Sequence, residues 1–497
     1  MTDQPALWTL MVYMSGDNVL DNFAIESLKQ LRDGAGKGVT VHYLFDPNYE
    51  DALPRSDRYD GRQKNTNASV FAEGATKKEF LAKTSRGTNL PINTADPEVL
   101  TRFINSVTDL PHSPAGADDK NRHYGLILWG HGPELLLDAD QPSKDKSRSR
   151  LDGKYLTPAR LRLALKDAEL PVRERSKAGL KPGEKAASEP SRKLDFIAFD
   201  ACSMSMVEVA AELQDYADFM IASQDDVPDQ SFPYDKILSL LKSGGGARES
   251  CREIPQEYKN AFQDYFPAPG PAVTNITLAS LDLQNVKSIT GPLKDLAIEL
   301  RRLAFSNEKA RKAIIHARGA SRDFVLGLFV DIDEFCLNLA KEKLSSNLDS
   351  ACERIHAALT APDALILNNQ TNEPDGKMRC HGLSIYLPYL TAEESKNIEE
   401  SLTIGGTGLA TQVSKGGSTT NLHKSRAARI AETEKDLASL TRFNGETNWE
   451  DFIKYTWSYI LAKEEPMELD LHYSAQQCML NLLSLCEASS QSSGVAA

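Results

Sequence analysis

Short unbroken apolar runs, each closed by a turn and followed by residues at helical spacing, constrain this chain more than any other feature. Residues 7–14 (LWTLMVYM), 39–45, 124–129 (YGLILW), 194–199 (LDFIAF) and 219–222 are runs of this kind. A strand covered on both faces shows no polar side, so it reads as continuous apolar sequence. Such strands alternating with helices imply a mainly parallel sheet. The fold class expected is therefore α/β, a mainly parallel β-sheet flanked by helices. Covering helices are predicted over 18–31, 97–107 and 204–213. Another is predicted over 157–170, where Thr157 is an N-cap and Pro158 lies in the first turn.

Past residue 270 the pattern changes. A strand is predicted at 274–283, then helices over 284–305, 309–318, 331–343 and 348–360. Short strands follow at 364–367 and 382–387 (GLSIYL), and another helix at 449–461. A chain of 497 residues suggests two or three domains. The reading is a catalytic domain over 1–270, a C-terminal α/β region rich in helices over 271–465, and a helical segment with a disordered tail over 466–497. Residues 46–94 read as a small hairpin insertion. The polar stretches 138–154 and 173–193, and the Gly/Ser/Thr-rich 405–420, read as loops, so 138–193 is expected to be largely exposed.

Composition narrows the function classes. The net charge of −13 argues against nucleic-acid binding, which needs clustered Lys and Arg. No apolar run approaches the ~20 residues of a membrane span, and residues 1–10 lack the pattern of a signal peptide; a cytoplasmic location with no membrane partner is expected. The seven cysteines show no CxxC spacing, so a structural zinc site is not expected and the thiols read as reduced.

Two strand ends carry the chemistry. Run 124–129 leads directly into Gly130-His131-Gly132, and run 194–199 leads into Asp200-Ala201-Cys202. In open α/β sheets, ligands bind at the carboxyl ends of the strands. If both strands are parallel, a thiol and an imidazole project from one edge, the parts of a nucleophile–base pair. A helix start just after Cys202 would favour its thiolate. The backbone N–H groups of Gly132 and Cys202 are natural oxyanion donors. Asp200 has three readings: orienting His131, lining a pocket selective for Arg or Lys, or capping the next helix. Asp225 and Asp226, after the fifth run, add negative potential near that edge or simply form a turn. Cys380 and His381 have no such placement and read as structural.

Six segments together resemble the clostripain family of cysteine peptidases: 8–28 (WTLMVYMSGDNVLDNFAIESL), 124–132 (YGLILWGHG), 156–165 (LTPARLRLAL), 194–213 (LDFIAFDACSMSMVEVAAEL), 222–228 (ASQDDVP) and 382–388 (GLSIYLP). The resemblance implies a sheet like that of the caspase, gingipain and legumain group. It implies that His131 is the catalytic histidine, Cys202 the nucleophile, and Asp200 an acid of the specificity pocket, so that the substrate is a protein or peptide cut after Arg or Lys. Asp225 falls where the family carries an acid. The resemblance also implies a zymogen cut between the histidine and the cysteine, and a response to calcium, although no compact acidic loop of calcium-ligand spacing is visible. The sequence departs from the family after Pro228: Asp229-Gln230-Ser231-Phe232 stands where a Gly-rich turn and a Trp are usual. The competing expectations are a caspase-like scaffold with little peptidase activity, and a protease restrained until a partner or second messenger releases it.

Overall fold

A computed structural model describes residues 7–16, 20–47, 67–71, 94–108, 122–132, 137–138, 155–173, 191–228, 230–265, 276–324, 327–371, 380–388 and 437–464. The chain divides into two compact units. One comprises residues 1–287 and 358–384, the other 288–357 and 385–497.

In the first unit the chain runs β1 (Leu7–Gly16), α1 (Asp21–Gly34), β2 (Val39–Pro47), β3 (Asn67–Phe71), α2 (Pro97–Thr108), β4 (Arg122–Trp129), α3 (Pro158–Asp167), β5 (Leu194–Asp200), α4 (Val207–Leu213), β6 (Ala217–Ala222), α5 (Tyr234–Lys242), α6 (Ala247–Tyr265), β7 (Thr277–Asp282) and β8 (Ile366–Thr371). The eight strands form one sheet in the order β3-β2-β1-β4-β5-β6-β7-β8. Strands β2, β1, β4, β5 and β6 are mutually parallel. The two edges are finished by antiparallel strands, β3 on β2, and β7 with β8 beyond β6. The chain passes from β1 to β2 on one side and returns to β4 on the other. The carboxyl ends of β1 and β4 therefore open the crevice expected at a topological switch.

The apolar runs are buried on both faces, as continuous apolar patterning requires. Trp8, Leu10, Val12 and Met14 of β1 share a core with α1, α5 and α6. On the alternate face Tyr13 meets Phe103 of α2, with ring centroids 5.9 Å apart. Helix α3 starts as its sequence dictates: the Thr157 side chain accepts the Arg160 N–H and Pro158 occupies the first turn. Gly125 on β4 lies opposite Phe196 on β5. A Cβ there would come within 2.3 Å of the Phe196 ring, so only glycine lets that ring cross the neighbouring strand.

The second unit holds α7 (Lys287–Ser306), α8 (Glu308–Gly319), α9 (Ile332–Lys341) and α10 (Ser346–Thr360), with a three-stranded sheet of Asp323–Phe324, Phe329–Asp331 and Ser384–Tyr386. Arg318 is buried there and satisfied by the carbonyls of Leu387 at 2.7 Å and Gly327 at 2.8 Å.

Three expectations change. The boundary placed at 270 leaves out β7 and β8, which belong to the first unit's sheet, so the second unit does not begin there. The helix expected from 204 begins at Val207. Helices α5 and α6 were not anticipated. Most of 46–94, 138–154 and 173–193, and all of 405–420 and 466–497, lie outside the described residues; β3, inside the first of these, pairs with β2.

Candidate active site

The parallel ladder between β4 and β5 aligns the two chemical segments. Its last pair is Trp129 with Asp200, and the Gly130 N–H continues it to the Asp200 carbonyl at 3.2 Å. His131 and Cys202 each follow that last pair by two residues, just past the ends of β4 and β5. Gly132 is buried and pressed against the Cys202 backbone. A Cβ there would lie 2.3 Å from the Cys202 carbonyl oxygen and 2.7 Å from its nitrogen. The glycine after the histidine is thus a steric requirement for the two segments to meet.

Cys202 sits in a turn, five residues before α4, whose N-cap is Met206. The expected helix-terminus stabilisation of a thiolate is therefore absent. The sulfur is held by the segment after β6: the Val227 N–H donates to Sγ at 3.3 Å, and the thiol faces the Val227 carbonyl at 3.8 Å. Burial pushes this thiol up to about 12, and the Asp226 carboxylate beside it pushes in the same direction.

That segment is pinned. The Asp225 carbonyl accepts the Ser203 N–H at 3.0 Å, and the Ser223 carbonyl accepts the Ser205 N–H at 2.8 Å. Thr277 Oγ1 accepts the Gln224 N–H at 2.9 Å, and Gln224 Oε1 accepts the Gly382 N–H at 2.7 Å. The Asp225 carboxylate takes the Asp226 N–H at 3.0 Å. The acid of this segment that acts on the thiol is Asp226.

Asp200 is 4% exposed. It does not cap a helix. One oxygen, Oδ2, accepts from the Ser231 hydroxyl, the Phe232 N–H at 3.2 Å and the Tyr234 hydroxyl at 2.7 Å. Burial raises this carboxyl from its ordinary 3.8 to about 6, and the three donors pull it back. Ser231 and Tyr234 are site residues that sequence patterning missed; the only signal was the departure from the family's Gly-rich turn.

Among the described residues, no group of three or more His, Cys, Asp or Glu side chains is placed to hold a metal ion. Among them no helix is long and apolar enough to cross a membrane. Cys202, Cys251, Cys336, Cys352 and Cys380 are free thiols.

The sequence profile of the clostripain family matches residues 12–457. The chain belongs to the clostripain family. It is 24% identical over 440 residues to clostripain of Hathewaya histolytica, covering 76% of this chain and 74% of that protein. Its fold is similar to that of a secreted cysteine protease from Bacteroides thetaiotaomicron, solved with an irreversible peptide inhibitor. There the TM-score is 0.51 with 14% identity, over 87% of this chain and 99% of the other. A zymogen from Parabacteroides distasonis, described as inactive, aligns over 78% of this chain and 94% of its own, at 20% identity and a TM-score of 0.49. Family membership makes the chain a cysteine peptidase with the caspase-like sheet.

Proposed function

We propose that the chain is an endopeptidase that cuts after Arg or Lys through a Cys202–His131 dyad. Cys202 attacks the scissile carbonyl. His131 takes the thiol proton and returns it to the leaving amine; water then hydrolyses the thioester by the same route. The backbone N–H groups of Gly132 and Cys202, residues that pack against each other, would stabilise the oxyanion, a contribution typically worth about 10²–10³-fold per donor. The observation that carries the reading is the β4–β5 register, which brings Gly132 onto the Cys202 backbone with Asp200 two residues before the nucleophile. Asp200 supplies the anionic recognition of a guanidinium or ammonium group, and Asp225 and Asp226 add to the field around it.

The thiol's surroundings favour a resting form. A half-buried sulfur beside Asp226, pushed up to about 12, is a poor nucleophile. This supports a protease made latent, with activation by cutting among the Lys and Arg of 138–193 or by a partner or second messenger. Calcium dependence and a cytoplasmic location remain parts of this proposal, tested by chelation and by fractionation. Fluorogenic peptides ending in Arg or Lys, assayed before and after limited trypsin treatment, test the core of it. The Cys202→Ala variant should fall by about 10⁴-fold or more. Equal rates for variant and wild type would refute the nucleophile.

A further inference from the structure

Ser231 lies at φ +69°, in the left-handed region that a residue with a Cβ seldom occupies. It is 5% exposed, and the Trp129 indole that meets it is 3% exposed. The indole N–H donates to Ser231 Oγ at 2.7 Å. An indole nitrogen only donates, so Ser231 cannot turn its own proton towards Trp129. That proton is committed to Asp200 Oδ2. The Phe232 N–H, which also only donates, adds a second fixed donor to the same oxygen, and the Tyr234 hydroxyl a third. No donor among the described residues reaches Oδ1.

We propose that Ser231 is a positioning residue for substrate choice: its hydroxyl, oriented by Trp129, holds Oδ2 of Asp200 and leaves Oδ1 to the guanidinium or ammonium group of the substrate. The inference rests on the reading of Asp200 as the pocket acid. A carboxylate gripped at one oxygen cannot rotate, so its free oxygen has one direction. Donors that cannot accept also favour the charged form over the neutral acid. The other titratable groups that face this carboxylate are Tyr234 of α5, Tyr258 of α6 and Cys202 past β5, with His131 at the adjoining strand end. Burial raises both tyrosines further above their ordinary values, so neither changes charge between pH 5 and 9.

The test uses the full-length chain with Ser231→Gly and Ser231→Ala. Both remove the hydroxyl; only glycine also relaxes the left-handed backbone. The first readout is kcat/KM for an Arg peptide against its norleucine counterpart from pH 5 to 9. The second is the pH midpoint of Trp129 fluorescence, taken as wild type minus Trp129→Phe, which needs no catalysis. Both variants should lose about tenfold of the basic preference, mainly in KM, and both midpoints should rise by about one pH unit, as expected for losing a hydrogen bond to a charged group. A glycine variant that keeps the wild-type preference and midpoint overturns the proposal and leaves Ser231 a turn residue. If the wild type shows no basic preference, the pocket reading of Asp200 falls, and the substrate half of the proposal with it. The fluorescence midpoint then decides alone whether Ser231 holds the carboxylate: a rise in both variants sustains that hold, and no movement overturns it.

Discussion

At Cys202 burial and a neighbouring acid act in the same direction on a thiol. A carboxylate beside a thiol destabilises the thiolate, so removing the charge must lower the thiol's pKa. Asp226→Asn should therefore speed alkylation of Cys202 by iodoacetamide at pH 8 by about tenfold, since one unit of pKa is a factor of ten in thiolate. The control is Asp225→Asn, whose carboxylate is occupied by the Asp226 N–H and should matter less. Labelling equal in both variants would leave burial as the sole cause. The placement of His131 and Cys202 just past two neighbouring parallel strands was legible in the sequence because both follow apolar runs directly. The thiol's state was not. A helix start at 204 would have favoured the thiolate, whereas α4 begins at Val207 and the residues between, Ser203 at φ +55° among them, form a turn. Backbone turns with the wrong residue type, at Ser203 and again at Ser231, carry no compositional signature.

At the level of the element, the β4–β5 register is the device that assembles the site, and Gly125 reports on it. Alanine there would drive a methyl into the Phe196 ring. Gly125→Ala should destabilise the first unit by about 1–3 kcal/mol, the usual cost of overpacking. Adding Phe196→Leu should restore part of that loss, because the smaller side chain vacates the space. Urea midpoints of the three variants measure the coupling; independent, additive losses would mean the two residues do not meet. The strands were readable because burial on both faces erases alternation. Helix α6 was not, although Cys251, Ile254, Tyr258 and Phe262 lie at helical spacing and all join the core. Pro255 interrupts that pattern, and proline is read as a breaker. Tertiary packing against the sheet overrides the local penalty. In the same way β7 and β8 look like parts of a following domain in sequence, since only long-range pairing, β7 on β6 and β8 on β7, assigns them to the first sheet.

On the scale of the whole molecule, Asp200 sets stability against the recognition proposed for it. Its carboxyl is raised from 3.8 to about 6 in the folded chain, so the folded state binds more protons than the unfolded state between those values. The stabilisation from the protonated form is complete below pH 3.8 and is lost as pH rises through 6. Above that, a charged carboxylate 4% exposed costs up to about 3 kcal/mol, two pKa units at 1.36 kcal/mol each. Asp200→Asn removes the charge but keeps an acceptor for the donors around it. It should therefore stabilise the chain at pH 8 and gain little at pH 4. Because the chain has two compact units, the reporter must be local. Replacing Trp449 and Trp457 by Phe leaves Trp8 and Trp129 of the first unit to follow urea unfolding. The same Asn variant should lose its preference for Arg over norleucine at pH 8, and the wild type should lose that preference as pH falls through 6. A stability difference equal at both pH values would show that the carboxylate is not strained by burial. It would leave the basic preference to Asp225 and Asp226.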